Sequence, residues 1–171
     1  MRRQMHVIYC VLVAFLLLFM ITYEDTVAQT RRLPLEELSK KSELIVTGKV
    51  IDQIAEWNEE KTRIYTRVTI AVDEYHKGER SENTVTVTHL GGEIGDVGEL
   101  YTGTARFVKD EEVFLFLKKD QKGNLRVTGS NQGKYMIRRD EVTGRRMISK
   151  SKSLEDFKGQ VKSIVKRLGE E

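Results

Sequence analysis

RIYTRVTIAVDEYHKG, residues 63–78, places Ile64, Thr66, Val68, Ile70 and Val72 on one face and Tyr65, Arg67, Thr69, Ala71 and Asp73 on the other. A period of two sustained this long marks a β-strand with one buried face. Its length predicts a strand that bends and serves two sheet edges. Upstream, LIVTGKVIDQI (44–54) sets Leu44, Val46, Val50 and Ile54 on one face with Gly48 among them. An interior glycine there predicts a bend or bulge at a barrel corner rather than a ligand contact. Polar residues 58–61 join the two strands as a hairpin, with Trp57, the single tryptophan, at its tip. Downstream, TVTVTHL (84–90) alternates again, with Val85 and Val87 opposed to Thr84, Thr86, Thr88 and Leu90.

Further strands follow. VFLFL (113–117) is apolar on both faces, so it predicts a strand buried between the sheet and a second layer, such as a helix. Leu125 with Val127 and Tyr135 with Ile137 predict two short strands around the glycine-bearing stretch 129–133. Pro34, followed by Glu36 and Glu37, predicts a short helix ending near Ser42 and capping one end of the sheet. Ser153 with Asp156 forms a helix start, after which Leu154, Phe157, Val161, Ile164, Val165 and Leu168 recur at helical spacing. The expected fold is mainly β: a small five- to six-stranded antiparallel OB-like barrel, with a short N-terminal helix and an amphipathic C-terminal helix. The barrel is expected over about 43–148 and the last helix over about 154–168, with an open α+β sheet as the alternative.

With 171 residues, 39% hydrophobic and 32% charged, the chain has room for one ordinary folded domain, here expected over 29–171. The N-terminus departs from that average: Arg2 and Arg3 precede the apolar run 7–21, and Thr26-Val27-Ala28 suits a signal-peptidase site. Residues 1–28 therefore read as an export signal, with an uncleaved single-pass anchor as the alternative. Either way the remainder lies outside the cytoplasm, periplasmic or extracellular. The single cysteine, Cys10, falls inside that run, so the mature domain has no disulfide and no cysteine chemistry. From Leu33 to Glu112 there are 17 acidic and 10 basic residues, and from Lys134 to Arg167 there are 4 acidic and 11 basic. The domain is electrically polar along its sequence, which directs attention to where its basic third lies.

The segment 91–104 holds Gly91, Gly92, Gly95, Gly98 and Gly103. It lacks the following Lys-Ser or Lys-Thr and the spacing of a phosphate or dinucleotide cradle, so nucleotide binding is not expected. A loop closing a barrel end is the plain reading. The functional one is a partner-binding loop of Gly91, Gly92, Glu93, Gly95, Asp96 and Gly98, with Trp57 beside it as either an anchor or a cover over the barrel end. His76 and His89 are the histidines beyond the export segment. His89 with Glu93 and Asp96 is the best constellation for a metal or catalytic role, but it lacks helical ligand spacing and a paired histidine. No metal, cofactor or catalytic residue is assigned, and an enzyme using His89 and Glu93 is the third choice. A basic set, Arg138, Arg139, Arg145, Arg146, Lys150 and Lys152, could meet an anionic envelope polymer or lipid surface. Export and the scarcity of aromatics among these cations argue against nucleic acid.

Leu44-Ile45-Val46-Thr47-Gly48-Lys49-Val50, Tyr65-Thr66, Lys77-Gly78, Gly91-Gly92, Phe114 to Leu117, Gly129 and Gln132-Gly133-Lys134 occur in an order that resembles a domain of unknown function in exported bacterial proteins. The resemblance spans roughly Leu38 to Ile137, and some such proteins carry predicted zinc-protease domains. More distantly the pattern is similar to the netrin-like OB domain of tissue inhibitors of metalloproteinases. Those inhibitors use an N-terminal cysteine and disulfides, which the mature chain lacks, so the resemblance implies the fold and not their chemistry. The expected function is a non-catalytic extracytoplasmic binding or accessory module that contacts another protein, with a protease as the partner class the resemblance brings in. Binding of an anionic surface through the basic third is the alternative.

Overall fold

The computed structural model describes residues 31–78 and 81–170, and the export segment expected over 1–28 lies outside them. Among the described residues no helix is long and apolar enough to cross a membrane. The elements run α1 (Leu35–Lys41), β1 (Leu44–Trp57), β2 (Ile64–Lys77), β3 (Thr84–Leu90), β4 (Gly92–Ile94), β5 (Val97–Glu99), β6 (Glu112–Lys119), β7 (Leu125–Val127), β8 (Lys134–Arg139), β9 (Arg146–Ser149), β10 (Lys152–Ser153) and α2 (Leu154–Gly169).

Five strands close a ring in the order β1, β2, β3, β7, β6 and back to β1. This is the OB-like barrel that the alternation predicts. One pair departs from the expected antiparallel pattern: β3 and β7 run parallel, meeting at Val87 and Leu125. A ring with an odd number of strands cannot alternate direction all the way round, so one parallel seam is unavoidable. Strands β7 and β8 are two parts of one line along β6, since Leu117 to Lys119 pair with β7 and Glu112 to Leu115 with β8. The excursion between them, 128–133, is pinned where the Thr128 N–H donates to Phe116 O and the Phe116 N–H donates to Gly133 O, both at 2.8 Å. Beyond it β8 leaves the ring and carries β9 and β10 as a flap.

The two faces of β6 feed two cores. Val113, Leu115 and Leu117 fill the barrel with Leu44, Val46, Val50, Val68, Ile70, Val85 and Val87. Phe114 and Phe116 point outward, where Ile45, Leu38 of α1, and Leu154, Phe157 and Val161 of α2 cover them. The second layer expected over VFLFL is thus both helices. Helix α1, expected to cap one end of the sheet, sends its apolar residue Leu38 into the outer cluster. Ala105 and Phe107 of the long β5–β6 connection enter the barrel core instead. Lys77 ties α1 to the sheet by donating from Nζ to Ser39 O at 2.8 Å and Ser42 O at 2.6 Å, two carbonyls at a helix end. Helix α2 starts as predicted: the Asp156 N–H donates to Ser153 Oγ at 3.1 Å.

The length of β2 predicts the strand that bends and serves two sheet edges, but β2 has β1 on one side and β3 on the other, and its irregularities lie near its end. Asp73 and His76 have no opposite residue in β1, so two bulges fall in its last turn of pairing. Closing the ring falls to β1, whose residues Leu44 to Lys49 also pair with β6. Gly48 sits at one of the irregularities, and a Cβ there would lie 2.3 Å from Ala71 O. A third bulge leaves Ile51 unpaired in β1. It reverses the inward parity, so Ala55 pairs with buried Thr66 and Gln53 with buried Val68. Ile54, expected inside with Val50, is instead 47% exposed. A one-residue insertion moves every later side chain to the other face.

Candidate binding rim at the barrel end

The closed part of the barrel ends before the β1–β2 ribbon does. Pairing of β1 with β6 stops at Lys49, while β1 and β2 continue to Trp57 and Ile64. Onto this ribbon folds the glycine-bearing segment. Within it β4 and β5 form a hairpin with Glu93 opposite Gly98 and Ile94 opposite Val97. Gly95 has φ +58° at the first position of its two-residue turn, where a positive φ is required. Gly92 permits a close approach: a Cβ there would stand 2.3 Å from Thr66 Oγ1 and 3.1 Å from the Ala55 Cβ. Side chains then fix the hairpin. Thr66 donates to Gly91 O at 2.6 Å, the Ile64 N–H donates to Glu99 at 3.1 Å, and the Tyr101 hydroxyl donates to the same Glu99 oxygen at 3.0 Å. Arg63 donates to the Tyr101 hydroxyl at 2.5 Å.

Between ribbon, hairpin and the stretch 105–107 that plugs the barrel lies an open groove of about 750 Å³. Gly91, Gly92, Glu93 and Gly98 line it, together with Gln53, Ala55, Glu99 and Phe107. Gly95 and Asp96 stand at the hairpin turn and do not line it. Leu100, next to β5, is 73% exposed at its mouth. Trp57, 37% exposed, lines a second groove of about 780 Å³ with Tyr65, Asp120 and Arg126. There Arg126 lies over the Tyr65 ring at 5.6 Å and bonds to Asp120 at 2.6 Å. The predicted loop and Trp57 therefore share one end of the molecule but line separate grooves.

Both histidines are held in structural settings. His89 stacks on Phe107 with centroids 6.0 Å apart, and its Nδ1 lies 3.1 Å from Leu90 O. Burial holds its pKa below the ordinary 6.5. His76, its side chain 5% exposed, stacks on Phe114 at 4.8 Å with its Nε2 3.4 Å from Thr47 Oγ1. Burial lowers its pKa as well, against the raising influence of Glu74. Among the described residues no three His, Cys, Asp or Glu side chains converge as metal ligands would.

The basic set is divided. Arg146 is engaged by Glu112 at 2.8 Å and Asp73 at 3.6 Å, and Lys152 bonds to Gln160 and lies over the Phe157 ring. Arg138 turns its Nε to Met136 Sδ at 3.3 Å. Arg139, Arg145 and Lys150 remain exposed on and beside the flap. Of these six, Arg146 folds back on the acidic half, while Lys152 and Arg138 find partners within the basic third itself. Glu99, Tyr101, Gln53 and Ala55 were not legible as rim residues, since their roles depend on the Ile51 bulge and the hairpin docking. No protein-family model and no curated protein matches the chain.

Proposed function

We propose that this domain is a non-catalytic binding module acting outside the cytoplasm, and that it contacts a partner protein through the β1–β2 ribbon and the β4–β5 hairpin. The observation that carries this reading is the ribbon that runs past the closed ring between two open grooves, with Trp57 on one and Leu100 on the other. Exposed large apolar side chains beside concave polar surface are the ordinary anatomy of protein contacts. The resemblance to domains accompanying predicted zinc proteases makes a protease the first partner class to examine. Photo-crosslinking residues placed at 57, 100 and 142 in cells test it, because Val142, in the β8–β9 turn, is 93% exposed but lines neither groove. The same discrete protein adduct is expected from 57 and 100 and absent from 142. Adducts from none of these sites, or equally from all three, would overturn the reading.

A further inference from the structure

We infer that the unpaired edge of β1 at Gln53, Ala55 and Trp57 accepts an extended cationic segment of the partner as an added β-strand. The inference rests on the binding-module reading and names the kind of segment it takes. The hydrogen-bond direction of this edge follows from the turn. The Asn58 N–H donates to Arg63 O at 2.8 Å, so that pair is hydrogen-bonded, and the alternation of an antiparallel ladder makes Trp57 and Ile64 a non-bonded pair. Ile64 agrees, since its carbonyl accepts from the Gly91 N–H at 2.8 Å and its N–H donates to Glu99. Along the register, Ala55 opposite Thr66 and Gln53 opposite Val68 repeat the non-bonded phase. The N–H and C=O groups of these three residues therefore point away from β2.

On that side the chain supplies its own partner only as far as Val50, which donates to Glu111 O at 3.0 Å and accepts from the Asp110 N–H at 2.9 Å. Beyond it, among the described residues, no strand pairs with β1 there. The open groove holding Gln53 and Ala55 on one wall and Arg106 and Phe107 on another lies along this edge. A strand entering it would continue the line that Asp110 and Glu111 begin.

Charge selects the occupant. Asp52 and Glu56 lie on this edge and Glu59 and Glu60 in the turn that follows it, with no cation among residues 51–60. Arg67 engages one oxygen of Glu56 at 2.5 Å and leaves that side chain 47% exposed, so Asp52 and Glu56 both front an incoming chain. A second copy would set carboxylates against carboxylates, which disfavours pairing. A segment with basic residues opposite Asp52 and Glu56 and an apolar one opposite exposed Ile54 matches the row, with backbone bonds supplying the rest.

The probe is a labelled, end-blocked peptide with a Lys-Thr-Val-Thr-Lys core, titrated against the protein by fluorescence anisotropy. Methylating the alternate backbone nitrogens that would face β1 is expected to weaken binding at least about tenfold, and replacing both lysines by glutamate to abolish it. Ala55→Pro removes one outward donor and no β1–β2 ladder bond, and is expected to weaken binding about tenfold in protein whose melting curve shows it folded. Failure of the parent peptide to bind, equal binding of the methylated peptide, or a dimer abolished by Ala55→Pro would overturn the inference. Were crosslinks at 57 and 100 to persist in that case, the module reading would stand without it; loss of both would remove both.

Discussion

At the scale of single residues, the two histidines of the domain are where acid acts. His76 is flat against Phe114 and faces Thr47, Glu74, Lys158 and Glu155, while His89 lies on Phe107 near Arg126 and Lys134. In both, burial disfavours the charged ring, so the folded pKa is below the ordinary 6.5. The unfolded chain then binds protons first as pH falls. The stabilisation tied to the neutral rings is complete above about 6.5 and is lost as pH drops through the lower folded values. Thermal melting is expected to be flat from about pH 8 to 7 and to fall toward about pH 5, with His76→Gln flattening part of that fall. An unchanged slope in that variant would move the acid sensitivity to the carboxylates, of which Glu74 is held low by its bond to Lys158.

At the scale of elements, the molecule depends on β6 and the helices that cover it. Phe157 meets Phe114 edge-on at 4.9 Å and Tyr135 at 4.9 Å, so it joins α2 to both β6 and β8. Phe157→Ala is expected to cost about 3–5 kcal/mol in urea unfolding, the range for emptying a buried aromatic site. Ser153→Ala, removing only the N-cap, should cost about 1 kcal/mol. Equal losses would mean that α2 is held by its own termini rather than by the aromatic cluster. These elements were plain in the sequence because periodicity reports burial directly: VFLFL had to be covered twice, and the stripe from Leu154 to Leu168 had to lie on something. What periodicity could not show was where the period breaks. Ile54 follows Val50 by four residues and so reads as an inward neighbour, yet the bulge at Ile51 turns it out and turns Ala55 in. The plug was hidden for a related reason, since Ala105 and Phe107 are too few and too irregularly spaced to announce a core role.

At the scale of the whole molecule, the charge gradient along the sequence closes on itself. Arg146 meets Asp73 and Glu112, Lys158 meets Glu74, and Lys134 meets Glu111 at 2.6 Å with side chains only 10% and 8% exposed. Lys134 also lies 4.7 Å over the Phe107 ring, so it links β8 to the barrel plug. Lys134→Met leaves the buried Glu111 carboxylate with the Val108 N–H but without its cation and is expected to cost about 3–5 kcal/mol, whereas adding Glu111→Leu should recover most of it. Chemical denaturation of the single and double variants distinguishes a pair that stabilises from one that merely tolerates its burial. The parallel seam acts at this scale too. Every other junction of the ring has several paired residues, but β3 and β7 share one, Val87 with Leu125. Across that junction Val85 and Val87 of β3 share one buried core with Leu125 and Val127 of β7. A seam with a single backbone pair is thus closed by side-chain packing rather than by a ladder.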